Sequence, residues 1–178
     1  MIYNAKLSLS SCEIYNSYFK EGFYYFDERD QKGGFPSFTS NVFENNTSEV
    51  GTIFNVPYFL KLTGNSGGNV SVKTCTFTNN TASKFGGVIY SGENAERLSF
   101  PGCTFNNNHA GSGNIVYGFS TKAFPGFDFP LTSDIASTIP SKFVIDKDSK
   151  AKAKDIYIYS GNKIPEGIKC KLNNNMNL

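Results

Sequence analysis

Tryptophan is absent from this 178-residue chain, histidine occurs once and methionine twice. Only four cysteines are present and none forms a C-x-x-C pair, so no structural zinc site is expected. The single histidine, His109, has no serine or cysteine nucleophile beside it in a recognisable motif. Phosphate-loop and dinucleotide-binding motifs are missing as well. The sequence therefore predicts no catalytic residues, no cofactor and no metal.

Charge is also scarce, at 18% Asp, Glu, Lys and Arg with a net charge of +2. This favours neither a nucleic-acid partner nor an anionic membrane surface, and no apolar run is long enough to predict membrane insertion. The densest charged stretch, Asp27 to Asp30, occupies one segment and does not recur at matching positions, whereas glycoside-cleaving enzymes need paired carboxylates on one face. We interpret it as a solvated loop.

Aromatic residues dominate what is present, with 17 Phe and 10 Tyr. Aromatic and β-branched residues favour strands, and no window shows apolar residues at helical spacing over three turns. Asn, Gly and Ser interrupt every candidate helix. The chain is therefore predicted to be all-β.

A repeat organises the first two thirds of the chain. The clearest copies begin at Cys75 and Cys103, where C-T-F-T-N-N and C-T-F-N-N-N are each followed by a Gly-containing turn and an apolar strand. Weaker copies begin at Cys12 and Asn41. The repeats share an apolar residue about every thirty positions, followed two residues later by an asparagine. The asparagines at this shared position are Asn16, Asn45, Asn79 and Asn107.

This period predicts a parallel β-helix of about four coils over residues 1–118, with three extended pieces in each coil. The shared asparagine suits such a stack, because it tolerates left-handed backbone geometry and its amide can bond to the coils above and below. A β-sandwich with Asn-Gly turns is the alternative. Residues 119–178 are predicted to be an aromatic loop and short strands that form a C-terminal β cap or begin another module.

The cysteines hold one register in the repeat. Neighbouring strands lie about 4.8 Å apart, so Cys75 and Cys103 would be adjacent, with parallel side chains, and Cys12 would lie two coils away from Cys75. We expect free, buried thiols that pack as small apolar residues. A Cys75–Cys103 disulfide is the alternative.

Surface aromatic residues are the candidate site for a protein partner. Tyr15, Tyr24 and Tyr90 are predicted to lie exposed on the flat sheets. Phe124 and Phe127 either plug the end of the solenoid or contact a partner. The tripeptide Asn-x-Ser/Thr, which accepts N-linked glycans in secreted proteins, occurs at Asn45, Asn46, Asn69 and Asn79.

The string F-T-N-N-T-A-S-K-F-G-G-V-I-Y-S resembles the F-x-x-N and G-G-A-I repeats of chlamydial polymorphic membrane proteins and related β-helix adhesins. The resemblance implies a right-handed parallel β-helix in a secreted or surface protein that binds a ligand. Here the shared asparagine stands two residues after the phenylalanine instead of three.

The chain is also similar to the repeating units of scaffoldins from anaerobic gut fungi. The similarity is carried by the asparagine-rich coil and by the stretch I-Y-S-G-N-K-I-P-E-G-I-K-C-K-L near the C-terminus. It implies a non-catalytic cohesin-like unit of a longer, secreted tandem-repeat protein. Its partner would be the dockerin-like domain of plant-cell-wall-degrading enzymes. A surface adhesin or glycan-binding β-helix is the alternative function.

Overall fold

A computed structural model describes residues 1–30, 35–59, 69–119, 124–132 and 135–138, together with the backbone of two later strands. Contacts divide the chain into a large unit, residues 1–138, and a smaller one, residues 139–177.

The large unit consists almost wholly of short strands. In chain order they are β1 (Ile2–Tyr3), β2 (Ser8–Ser10), β3 (Glu13–Tyr15), β4 (Tyr18–Phe19), β5 (Tyr24–Asp27), β6 (Ser37–Thr39), β7 (Val42–Glu44), β8 (Thr47–Val50), β9 (Phe54–Tyr58), β10 (Val70–Lys73), β11 (Thr76–Thr78), β12 (Thr81–Phe85), β13 (Ile89–Glu93), β14 (Leu98–Phe100), β15 (Thr104–Asn106), β16 (His109–Ser112), β17 (Val116–Gly118), β18 (Gly126–Phe127) and β19 (Ala136–Thr138). Two 3-10 turns, Glu28–Asp30 and Ala95–Arg97, join strands at one corner.

These strands form four parallel sheets. Sheet A has the order β1-β5-β9-β13-β17-β19 and sheet B the order β2-β6-β10-β14-β18. Sheet C has the order β3-β7-β11-β15 and sheet D the order β4-β8-β12-β16. The chain therefore visits the sheets in the order B, C, D, A, and one such passage is called a coil below. The topology is consistent with a parallel β-helix.

The all-β prediction is confirmed, and the stacked parallel sheets support the solenoid over the sandwich. The prediction of three extended pieces in each coil is wrong, because sheet D supplies a fourth strand. Right-handed winding, the number of coils and the terminal cap stay predictions.

Asparagines stabilise the corner between sheets C and D, where two adjacent positions have different roles. The asparagine two residues after the repeat's apolar position, Asn79 for example, is exposed and adopts left-handed geometry with φ 54°. The next residue is buried: Asn46, Asn80 and Asn108 stack on successive coils. The Asn80 Oδ1 accepts hydrogen bonds from the Asn46 backbone N–H and amide, and Asn108 repeats this toward Asn80. The ladder predicted for the first asparagine thus belongs to the second.

The cysteine register forms a second, weaker column at the corner between sheets B and C. Its members are Cys12, Asn41, Cys75 and Cys103, each preceded by a residue with positive φ. The Cys103 Sγ accepts the Cys75 backbone N–H at 3.4 Å, and the Cys75 Sγ accepts that of Asn41 at the same distance. The thiols donate to backbone carbonyls, Cys103 to Val72 at 3.2 Å and Cys75 to Lys73 at 3.3 Å. The neighbouring Cys103 thiol lowers the pKa of Cys75, whereas Cys75, together with burial, raises the pKa of Cys103.

The structure records Cys12, Cys75 and Cys103 as free thiols, with Cys75 and Cys103 buried as expected. The side chain of Cys170 lies outside the described residues. We predict that an alkylating reagent labels Cys12 in the native protein but labels Cys75 and Cys103 only after denaturation, because burial keeps the reagent away. Peptide mapping by mass spectrometry measures each site. Failure of both buried cysteines to react in denaturant without reductant would show a disulfide instead.

Phenylalanine rings fill the interior of the stack. Phe43, Phe77 and Phe105 lie face to face on successive coils, with ring centroids 5.3 and 4.9 Å apart. Phe127 stacks on Phe100 at 5.3 Å and also contacts Phe105. Aromatic burial of this kind supplies much of the apolar stabilisation of a small core. Two strands of the large unit after residue 118, β18 and β19, extend sheets B and A.

The smaller unit contributes two described strands, β20 (Lys142–Ile145) and β21 (Cys170–Asn173), which pair antiparallel. Residues 146–169 of the segment predicted to form short strands lie outside the described residues.

Candidate binding face

A column of tyrosines runs across the outer face of sheet A. The register aligns Tyr3 with Tyr25, Tyr25 with Asn55, Asn55 with Tyr90 and Tyr90 with Tyr117. Parallel strands place equivalent side chains directly above one another, so four tyrosines and one asparagine share one line. We call Tyr3, Tyr25, Asn55, Tyr90 and Tyr117 the tyrosine column.

The rings of this column lie nearly parallel. Tyr3 stacks on Tyr25 with centroids 4.7 Å apart and an interplanar angle of 9°, and Tyr90 stacks on Tyr117 at 5.9 Å and 13°. Phe85, at the edge of the face, approaches the Tyr117 ring to 4.6 Å. Asn55 separates the two pairs and is fixed by an amide hydrogen bond to the Glu21 carbonyl. The outcome is an aromatic strip made of two stacked pairs of rings with Asn55 between them.

Two phenols of the column, Tyr25 and Tyr117, have raised pKa values and are uncharged at neutral pH. Burial raises the pKa of Tyr25, and Asp27 and Tyr3 raise it further. Burial also raises the pKa of Tyr117, with a smaller contribution from Tyr90. The strip is therefore a neutral surface with hydroxyl groups, the type of surface that aromatic residues provide at interfaces.

The structure separates the tyrosines predicted for the binding face. Tyr90 belongs to the tyrosine column and is half-buried, and Tyr15 is 59% exposed on sheet C. Tyr24 was expected on the surface and is 1% exposed, with its hydroxyl donating to the Ala5 carbonyl and its ring against Phe38. The outward-facing tyrosine of that strand is the half-buried Tyr25, because successive side chains alternate between faces.

The two phenylalanines predicted for this role lie near the C-terminal end of the described stack. Phe127 is half-buried against Phe100 and Phe105, and Phe124 is half-buried with its ring beside Gly118. These contacts place both rings against the interior and against sheet A, while a part of each stays accessible.

Sequence reasoning missed Tyr3, Tyr25 and Tyr117. A usable signal was present for Tyr117. Tyr90 and Tyr117 each stand four residues after a glycine with positive φ, Gly86 and Gly113, so counting from the corner glycine identifies the outward position. In the first coil the outward tyrosine, Tyr25, stands only three residues after the corner glycine, Gly22, because that segment is one residue shorter.

The acidic stretch near residue 28 is an ion-pair cluster and not the solvated loop expected. Asp27 is buried and pairs with Arg29, whose hydrogen bond lowers the pKa of the Asp27 carboxyl. Glu28 pairs with Arg97 of a coil further along, and both side chains are largely buried. The guanidinium of Arg97 also lies 5.1 Å from the Phe59 ring. Paired carboxylates of this kind stabilise the fold.

Within the described ranges, no three His, Cys, Asp or Glu side chains are grouped closely enough to hold a metal ion. No helix in the part of the chain that the structure describes is both long and apolar enough to span a bilayer. The absence of catalytic activity stays a prediction.

The comparisons with known proteins match one coil of this stack. Residues 74–92 match the Chlamydia polymorphic membrane protein (Chlamydia_PMP) repeat. No curated protein and no solved structure matches the chain significantly. The matched segment contains F-x-x-N as Phe77 to Asn80, so the ladder asparagine stands at the family's position and the departure expected from the sequence is wrong. None of the matches concerns scaffoldins or cohesins.

Proposed function

We propose that this chain is a non-catalytic, adhesin-like binding module of a surface protein, and that the outer face of sheet A holds its ligand. The tyrosine column carries the proposal, because the exposed ring of Tyr3 and the half-buried rings of Tyr25 and Tyr90 present aromatic surface on a rigid support. The matched repeat, which is named for a membrane protein, supports surface display. A location outside the cell is part of the proposal.

The cohesin-like function stays a prediction from the sequence alone. It differs from the adhesin in its partner, which would be a dockerin-like domain of a secreted enzyme instead of a cell or a polysaccharide. Both functions need an exposed, rigid surface, so the fold does not separate them.

We predict that Tyr3→Ala together with Tyr90→Ala weakens binding to the ligand by about tenfold or more, because central aromatic side chains carry most of the energy of an interface. Binding of the fluorescent protein to intact cells and to immobilised polysaccharides measures this, and capture from culture supernatant tests the enzyme partner. The matched control is Tyr15→Ala with Tyr18→Ala, since these tyrosines are 59% and 63% exposed on sheets C and D.

Equal loss in both double variants, with unchanged thermal unfolding, would contradict the assignment to sheet A. Capture of secreted enzymes that share one small domain, without binding to cells or glycans, would replace the adhesin by the cohesin-like unit.

A further inference from the structure

The corner between sheets C and D carries acceptor sequences for N-linked glycans on two successive coils. The first is Asn45-Asn46-Thr47, which follows strand β7 and ends on the first residue of β8. The second is Asn79-Asn80-Thr81, which follows β11 and ends on the first residue of β12. Backbone hydrogen bonds join the corners, the Asn45 N–H to the Thr78 carbonyl at 3.0 Å. The two acceptors therefore lie about one strand spacing apart.

The left-handed backbone at this corner exposes both acceptor asparagines. Asn45 has φ 55° and Asn79 has φ 54°, and both residues are exposed. The third residue of each acceptor sequence, Thr47 or Thr81, is exposed or half-exposed on the outer side of sheet D. Both elements of the acceptor are thus accessible on the folded coil, and a glycan attached there extends into solvent.

A third, overlapping sequence at Asn46-Thr47-Ser48 is unsuited to a glycan. Asn46 is fully buried, and its amide nitrogen donates to the Ile14 carbonyl at 2.9 Å and to the Asn80 Oδ1 at 3.0 Å. A glycan on this nitrogen removes one of the two amide hydrogens and places a sugar inside the stack. A coil modified in this way cannot stack on its neighbour.

We propose that Asn45 and Asn79 are N-glycosylation sites and that Asn46, one residue from the first, is not. In the transfer, the anomeric carbon of the sugar leaves the diphosphate of a lipid-linked oligosaccharide and bonds to the asparagine Nδ2. The amide proton passes to a base of the transferase, and the lipid diphosphate is released. Glycans at this corner would cover it against contacts with other proteins. This inference does not depend on where the ligand binds.

The other two coils provide matched controls, because they keep the exposed asparagine and lack the hydroxyl residue. Coil four has Asn107-Asn108-His109, with Asn107 exposed at φ 51°, and the first coil has Asn16-Ser17-Tyr18 with the same φ. His109→Thr completes an acceptor at Asn107 without changing the corner. Ala110→Ser completes one at Asn108, a buried ladder residue.

The experiment expresses the chain through the secretory pathway of yeast, in an Asn69→Gln background that removes the remaining acceptor. Enzymatic deglycosylation in heavy-oxygen water followed by peptide mass spectrometry marks each modified asparagine. We expect glycans at Asn45 and Asn79, selective loss at Asn45 in Thr47→Ala and at Asn79 in Thr81→Ala, and loss of both in the double variant. His109→Thr is expected to add a glycan at Asn107, whereas Ala110→Ser adds none.

Secreted, folded protein that carries a glycan at Asn46 or Asn108 would overturn the proposal. So would protein with neither Asn45 nor Asn79 modified. The threonine variants keep the left-handed asparagines, so a lost glycan cannot be attributed to a damaged corner, and thermal unfolding after deglycosylation verifies this.

Discussion

Replacing Asn80 by alanine is expected to lower the free energy of unfolding by about 3 to 5 kcal/mol, because buried polar groups that lose their partners cost about 1 to 3 kcal/mol each. Asn80 is fully buried in the middle of the ladder, between Asn46 and Asn108. Alanine removes an acceptor and a double donor while adding a small void.

Four hydrogen bonds depend on this one side chain. Its Oδ1 accepts from the Asn46 backbone N–H and amide at 3.2 and 3.0 Å. Its amide donates to the Phe43 carbonyl at 2.9 Å and to the Asn108 Oδ1 at 3.1 Å. These bonds join three coils, so their loss weakens the stack on both sides of the substitution.

The neighbouring residue supplies the control. Asn79 is exposed and contributes its left-handed backbone, which glycine adopts without strain, so Asn79→Gly is expected to change stability little. Urea unfolding followed by circular dichroism measures both variants. A loss in Asn79→Gly as large as that in Asn80→Ala would show that the ladder does not hold the coils together.

The repeat and the turns of this fold could be predicted, but the inward-facing asparagines could not. The sequence contains two adjacent asparagines in coils two to four, and the first coil has Asn16 followed by Ser17. The position shared by all four repeat copies is therefore the first asparagine, and for this reason the ladder was predicted there. The backbone conformation of the corner decides which of the two adjacent asparagines faces inward, because a shift of one residue exchanges them.

The fourth strand of each coil escaped prediction for a related reason. In coils two to four its inward residues are small, Ser48, Ala82 and Ala110, so these strands of sheet D lack the apolar alternation that reveals the other three sheets; only the first coil has a large residue there, Phe19. Of the four tyrosines in the column, the sequence predicted only Tyr90. The reason also explains the wrong prediction for Tyr24: coils of unequal length change which residues of a strand face outward. Which side chains of different coils lie in one column can be determined only when the strand register is known.

An ion pair between coils gives the second large effect. Arg97 follows strand β13 of the third coil, and its guanidinium pairs with Glu28 of the first, with the two side chains 3% and 11% exposed. The same guanidinium lies over the rings of Phe59 and Phe35, at 5.1 and 5.3 Å. One side chain thus connects coils that share no strand pairing.

Arg97→Ala is expected to destabilise the protein by about 3 to 5 kcal/mol, because it removes one partner of a buried pair and leaves a carboxylate in a poorly solvated corner. Arg97→Met combined with Glu28→Gln should recover much of this loss, since it removes both charges and keeps the apolar stem over the rings. Urea unfolding of the two variants and the parent protein measures the difference.

Lys84→Ala is the matched control for this prediction. Lys84 pairs with Glu49 of the adjacent coil, and both groups of this pair are open to solvent. Screened pairs of that kind contribute little, so the unfolding midpoint should not move measurably. If Arg97→Ala unfolds like Lys84→Ala, then the buried pair does not tie the first coil to the third. If the double variant is as unstable as Arg97→Ala, the loss comes from the missing guanidinium contacts with the rings and not from the unpaired charge.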